Sequence, residues 1–245
     1  MATGLKDIGK WSLVVSAAML MIMGACEDDE ESPVAPPAPA PDKVVQLDGN
    51  GDFISIPLAN HTFNQFTLEV ALKVPTYDSN VHYISQYQNA YLVLGDYSSG
   101  QISTWANGLT PIDIGPATTT LSTDQWHHFA FSYDGTNQYA LIDGVVVLST
   151  PTTGTLTHNA TTYNQALKIG ARYSGDTQFV TGQLDEVRIW NIYRTPAEIQ
   201  ANMFSKISAQ SGLVGYWNFD DGTANDVTAY GADGTLNGDA VIVNQ

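Results

Sequence analysis

The residues best suited to holding a ligand are aromatic and polar, and they cluster in one stretch of the chain. A two-residue period sets Tyr83, Ser85 and Tyr87 on one side of a strand and Ile84 on the other. Tyr91 lies opposite Leu92 and Leu94. Trp105 shares a side with Gln101 and Ser103, opposite Ile102 and Thr104. If these strands are neighbours, their polar-side rings form a platform on which sugar rings stack. Gln86, Asn89, Asp96, Asn107 and Asp113 supply hydrogen bonds around it. Tyr83, Tyr87, Tyr91, Trp105 and Asn107 are therefore the expected ligand-binding residues, with a polysaccharide or other glycan as ligand. The competing reading is that aromatic residues favour strands for packing alone.

A second group is acidic. Asp48-Gly49-Asn50-Gly51-Asp52 places carboxylates around a turn rich in Gly and Asn, which exposes its carbonyls. A hard cation such as Ca²⁺ takes six to eight oxygens of both kinds. The run echoes the start of an EF-hand loop, but no helices flank it and no Glu closes it. Turn hydrogen bonds alone are the alternative role for Asp48 and Asp52. His127 and His128 are adjacent, so a strand points them to opposite faces and they cannot share one ion.

These residues need a scaffold, and from Val44 onward the apolar period is two. Phe66–Val74 alternates as a strand with one buried and one wet face. Similar runs are Tyr91–Leu94, Trp126–Tyr133, Tyr139–Leu148, Leu167–Gly170, Gln183–Trp190 and Leu213–Phe219. Asp134-Gly135, Asp143-Gly144, Asn107-Gly108 and Ser174-Gly175 separate them with the positive φ that tight turns need. The pattern predicts an all-β, two-sheet antiparallel sandwich of jelly-roll type with one short helix. Thr195-Pro196-Ala197-Glu198 is a capping box with Pro at the first helical position, followed by a stripe of Ile199, Met203 and Ile207.

Four motifs then resemble one family in order. Leu47–Pro57 resembles the opening strand of laminin-G-like, concanavalin A-like jelly-roll domains. Trp126–Gly135 resembles their W-x-H-[VLF]-A-x-[ST]-[YF]-[DN]-G strand, and Ile142–Val145 the next hairpin. Gly182–Asn191 resembles their G-x-[IL]-D-E-V-R strand, with the Arg194–Ile199 helix start after it. Gly212–Gly222 and Asn225…Gly234-Thr235-Leu236 resemble a segment that precedes the opening strand in many relatives. Standing last here, it completes the same sandwich or begins a second, truncated domain.

The resemblance implies a structural calcium held by Asp185 together with Asp48, Asn50, Gly51 and Asp52. It places Trp126, Trp190 and Trp217 in the core and gives His128 a hydrogen-bonded structural role. Enzymes of this architecture resemble laminarinases, which carry paired carboxylates on an E-x-D-x-x-E strand. Beyond the acidic run near the start only three glutamates remain, Glu69, Glu186 and Glu198, and none lies in such a strand. No Ser-His-Asp order, zinc signature or phosphate loop appears, so no catalytic residue is expected.

The whole chain has 245 residues and a formal charge of −16, from 25 acidic and 9 basic side chains. Such a field repels nucleic acid and anionic lipid. Lys6 and Lys10 precede an apolar run, Trp11–Met23, of signal-peptide length. The single cysteine, Cys26, follows Met23-Gly24-Ala25, which resembles a bacterial lipobox, so residues 1–25 are expected to be cleaved and Cys26 lipidated. Residues 26–42 read as a tether. Its acidic Glu27–Glu31 resembles the surface-export signal of Bacteroidetes lipoproteins, and its alternating prolines favour an extended arm of roughly 50 Å. Residues 43–245 are the expected head. The expectation is a non-catalytic lipoprotein of the bacterial envelope, on the outer-membrane surface and touching membrane only through its anchor. It binds a glycan or, alternatively, an extracellular protein as an adhesion or assembly module.

Overall fold

The protein is known from a computed structural model that describes residues 43–58, 62–78, 80–86, 92–98, 101–106, 109, 112–114, 121–154, 156, 157 and 166–245. Of these, residues 62, 92–98, 101, 102, 105, 112–114, 156 and 157 are described by backbone alone. The expected leader and tether lie outside the described residues.

In chain order the strands are β1 (Lys43–Asp48), β2 (Phe53–Ile56), β3 (Thr62–Phe63), β4 (Phe66–Lys73), β5 (Val81–Ser85) and β6 (Leu92–Ser98). They continue as β7 (Gln101–Ala106), β8 (Ile112–Ile114), β9 (His127–Tyr133), β10 (Asn137–Ile142), β11 (Val145–Pro151) and β12 (Leu156–Thr157). After β13 (Leu167–Ile169) and β14 (Thr181–Trp190) comes the helix α1 (Pro196–Asn202), then β15 (Leu213–Trp217), β16 (Thr235–Asn237) and β17 (Val241–Asn244).

Two antiparallel sheets form a sandwich. One runs β11-β10-β9-β4-β14-β1-β17; the other runs β16-β2-β13-β5-β6-β7-β8. A short β12-β3 ribbon stands apart from them. The far edge of β14 is shared: β1 pairs with Thr181–Leu184 and β15 with Val187–Trp190. The last residues join both sheets, β16 beside β2 and β17 beside β1.

The alternation read from the sequence is what fills the space between the sheets. Phe66, Leu68, Val70 and Leu72 of β4 meet Phe129 and Phe131 of β9, and Ile54, Ile56, Leu167 and Ile169 close on them from the other sheet. Asp143 and Gly144 have φ of 50° and 76°, the left-handed pair that a two-residue hairpin between β10 and β11 requires.

Three expectations need correction. The outer side of β4 is not wet: Thr67, Glu69 and Ala71 are all buried. Residues 192–205, including α1, cover it, as shown by Thr67 Oγ1 donating to the Ile192 carbonyl at 3.1 Å and by Arg188, on the adjacent strand, donating to the Asn202 and Ser205 carbonyls. The helix keeps its capping box on Thr195 and Glu198 but ends at Asn202. Met203 is its cap, and Ile207 packs beyond it with Trp190, Leu213 and Tyr216. Finally, Trp190 and Trp217 are buried whereas Trp126 is only half-buried.

Candidate functional site

The acidic corner is built by the β1–β2 turn. Gly49 and Gly51 take φ of +82° and +91°, which reverses the chain within four residues and brings Asp52 back against Asp48. Asp52 is buried. Its Oδ2 accepts the Asp48 N–H at 3.0 Å and its Oδ1 accepts the Asp239 N–H at 2.8 Å. Asp48 Oδ1 in turn accepts the Asn50 N–H at 2.7 Å. Asp239 arrives on the turn between β16 and β17. Gly238 makes that approach possible: a Cβ there would sit 2.7 Å from the Gly51 carbonyl oxygen, with φ of +71°.

Asp48, Asp52 and Asp239 each offer one carboxylate oxygen, and these lie within 4.8 Å of one another. Among the described residues no cationic side chain is paired with any of the three. Like charges this close repel in a medium of reduced dielectric, and an all-oxygen donor set suits a hard cation. A carboxylate oxygen that accepts one N–H keeps a second lone pair for a metal, so the residues present fit calcium. Asp239 belongs to none of the quoted motifs; the signal that could have found it is the late segment ending at Leu236, which resembles one that precedes the opening strand in relatives.

Asp185 lies elsewhere. Its neighbour Thr181 is the residue paired with Asp48, and Asp185 stands four positions further along β14, opposite Ala71. At about 3.3 Å per residue that is roughly 13 Å away, too far for a ligand of the same ion. Asn50 and Gly51 do sit in the turn that the carboxylates bracket.

The aromatic platform is also redistributed. The pairing of β5 with β6 slips by one residue between His82 and Ile84. Such a bulge turns two successive side chains toward one face, so Tyr83 joins Ile84 in the core. It is 1% exposed and stacks on Phe129 with centroids 6.0 Å apart. Trp105 stands opposite Val93 in the register and shares its parity with Ser103; only its backbone is described. Tyr87, Tyr91 and Asn107 lie outside the described residues.

Two further polar groupings were not foreseen. Beneath α1, Glu69 accepts from Trp190 Nε1 at 2.5 Å, approaches His128 Nε2 at 3.2 Å and lies 3.5 Å from Arg188 Nη1. Arg188 also pairs with Glu186, which holds the Tyr216 hydroxyl at 2.8 Å. Burial pushes the Glu69 carboxyl up, but His128, Arg188 and Trp190 together outweigh it and hold it below its ordinary value. These groups are sealed from solvent, so they clamp the helix to the sheet.

The second grouping is Ser122 Oγ–His127 Nε2 at 2.8 Å and His127 Nδ1–Asp143 Oδ2 at 2.7 Å. The carboxylate can only accept, so Nδ1 donates to Asp143, and Nε2 accepts from the serine when the imidazole is neutral. This is the bonding order of a nucleophilic triad. Here Asp143 is the β10–β11 turn residue and its other oxygen accepts the His128 N–H at 2.8 Å. The chain of bonds therefore ties an exposed loop to that hairpin.

On the outer side of the first sheet, Gln46, Gln183 and Lys73 form one cross-strand row over β1, β14 and β4. With Pro75, Asp124 and Thr181 they line a hollow of about 250 Å³. Thr181 Oγ1 donates to the Asp48 carbonyl at 3.4 Å, which places the hollow beside the acidic corner.

Comparison with solved structures supports the fold. A protein from Bacteroides ovatus ATCC 8483, described as a candidate carbohydrate-binding protein, superposes with a TM-score of 0.69 at 21% identity over 84% of this chain. This chain spans 60% of that protein's length. A heptameric SAP-like pentraxin from Limulus polyphemus superposes with a TM-score of 0.60 at 12% identity, over 83% of this chain and 95% of its own. No curated protein matches the sequence. The family model of laminin-G type described as the concanavalin A-like lectin/glucanases superfamily matches residues 48–200, and the chain belongs to that family.

Proposed function

We propose that the chain is the glycan-binding head of a surface lipoprotein, with a structural calcium and no catalytic centre. The observation that carries the reading is membership of a family of lectins and glucanases combined with the fate of its glutamates. A glycosidase of this architecture needs two carboxylates facing substrate about 5–10 Å apart. Glu69 and Glu186 are buried in the clamp under α1, and Glu198 caps that helix. The family's binding branch fits these residues better than its hydrolytic branch. The candidate carbohydrate-binding description of the B. ovatus protein points the same way.

Asp48, Asp52 and Asp239 would hold the calcium, with turn carbonyls around Asn50 and Gly51 as further donors. Bound there, the ion supplies charge neutralisation and a cross-link between the first turn of the head and its last. Lipidation at Cys26, the extended tether and an outer-membrane location belong to the same proposal. Glycan-array binding by the full chain tests it, with Trp105→Ala, on the second sheet, and Tyr87→Ala as variants. Binding that either change weakens at least tenfold supports a platform on that sheet. Binding that survives both removes the platform, and capture of a protein partner with no glycan bound favours the adhesion module instead.

A further inference from the structure

We propose that the hollow over β1, β14 and β4 is a saccharide subsite that takes one neutral pyranose unit. This inference rests on the glycan-binding reading and gives it a location distinct from the Trp105 side of the second sheet. Three observations carry it.

The first is unmet bonding capacity. Gln183 Oε1 is buried and accepts no hydrogen bond among the described residues. Burying such an acceptor costs on the order of 1–3 kcal/mol until a donor reaches it. Lys73, its direct cross-strand partner, has no hydrogen bond or ion pair among the described residues either. Most of the other described cations are engaged: Arg188, Arg194 and Lys206 pair with carboxylates, Lys168 donates to Ser55 and Arg172 to the Tyr173 hydroxyl, while Lys43 shares the unpaired state of Lys73 among the described residues. An ammonium with three donors therefore stands beside an acceptor that lacks one. A sugar carries both partners on adjacent hydroxyls.

The second is the charge balance of the walls. Lys73 and Asp124 contribute one charge of each sign, and Gln46, Gln183 and Thr181 are neutral. A lone anion would meet Asp124, and a lone cation would meet Lys73. A neutral, hydroxyl-rich ligand meets donors and acceptors with no uncompensated charge, and Pro75 gives it one apolar wall.

The third is size and rigidity. About 250 Å³ lies below the roughly 300–1,000 Å³ of pockets for drug-sized ligands, which suits a single ring of a longer chain. The row is set by strand register rather than by a loop. Asp124 is held by its N–H donating to the Val74 carbonyl at 2.8 Å. Gln46 is held through its Nε2, which donates to the Gly182 carbonyl at 3.2 Å. Preorganised groups lose little freedom on binding.

The test is a titration of the ¹⁵N-labelled full chain with methyl glucoside, galactoside, mannoside and xyloside, and with methyl glucuronide as the charged comparison. The expected result is that at least one neutral glycoside shifts the amides of Thr181, Gly182 and Gln183. Lys73→Met and Gln183→Met, which keep side-chain bulk, then weaken it at least tenfold while the melting temperature stays within a few degrees. Tighter binding of the glucuronide than of every neutral glycoside overturns the assignment of ligand class. Shifts confined to residues 101–106, with both variants binding like wild type, overturn the subsite and leave the glycan-binding reading standing. No shift here and no ligand on a glycan array overturn both.

Discussion

Asp239 and Asp185 show how much a single residue's position decides. Asp185 sits in a motif that resembles a metal-binding strand, yet strand geometry carries it roughly 13 Å from the opening turn. Asp239 sits in no motif, yet its backbone N–H bonds to Asp52 and its carboxylate completes the acidic corner. Saturating a site to a hundredfold its Kd adds about 2.7 kcal/mol, or roughly 5–10 °C for a head of this size. Calcium is expected to raise the melting temperature by that order in a scan against EDTA. Asp239→Asn removes the increment, and Asp185→Ala keeps it. His82 makes a second prediction. Burial, reinforced by Arg172, lowers its pKa to about 4 from 6.5. The folded state therefore resists a proton that the unfolded chain accepts. The contribution of His82 to stability is full above pH 6.5 and falls by about 1.4 kcal/mol per unit as pH drops from 6.5 toward 4. Urea titrations across that window should show a shallower fall in His82→Gln than in wild type; parallel slopes would contradict it.

The elements explain both what the sequence disclosed and what it hid. Period-two runs such as Phe66–Leu72 and the Asp143-Gly144 turn translate directly into strands and a hairpin, because side-chain alternation and positive φ are local properties. The capping box over Thr195 and Glu198 is legible for the same reason. Tyr83 was misplaced because a bulge changes parity without leaving a mark in residue type. The outer side of β4 was misread because its cover, residues 192–205, is remote in sequence and meets it only in the fold. That cover makes Glu69 the centre of a buried clamp instead of a wet strand position. Removing one member of a buried ionic group leaves its partners uncompensated, at about 3–5 kcal/mol. Glu69→Ala should lose that much in chemical denaturation, since it leaves His128 and Trp190 without their acceptor and takes from Arg188 one of its two carboxylates under α1. A loss below 1 kcal/mol would mean that the clamp does not hold the helix.

At the scale of the whole molecule, charge and topology narrow the ligand. A formal charge of −16 disfavours polyanions, which suits the charge-balanced walls of the hollow beside Thr181. The topology joins the chain's late strands to its opening turn, β16 beside β2 and β17 beside β1. Thr181 links that junction to the hollow through the Asp48 carbonyl, so loss of calcium is expected to loosen the hollow as well as the corner. The central claim is that the head binds neutral glycan. A glycan array probed with the full chain, in calcium buffer and again in EDTA, tests it most directly. The account predicts selective binding to at least one neutral glycan class, weakened by EDTA. Failure to bind any glycan in either buffer would contradict it.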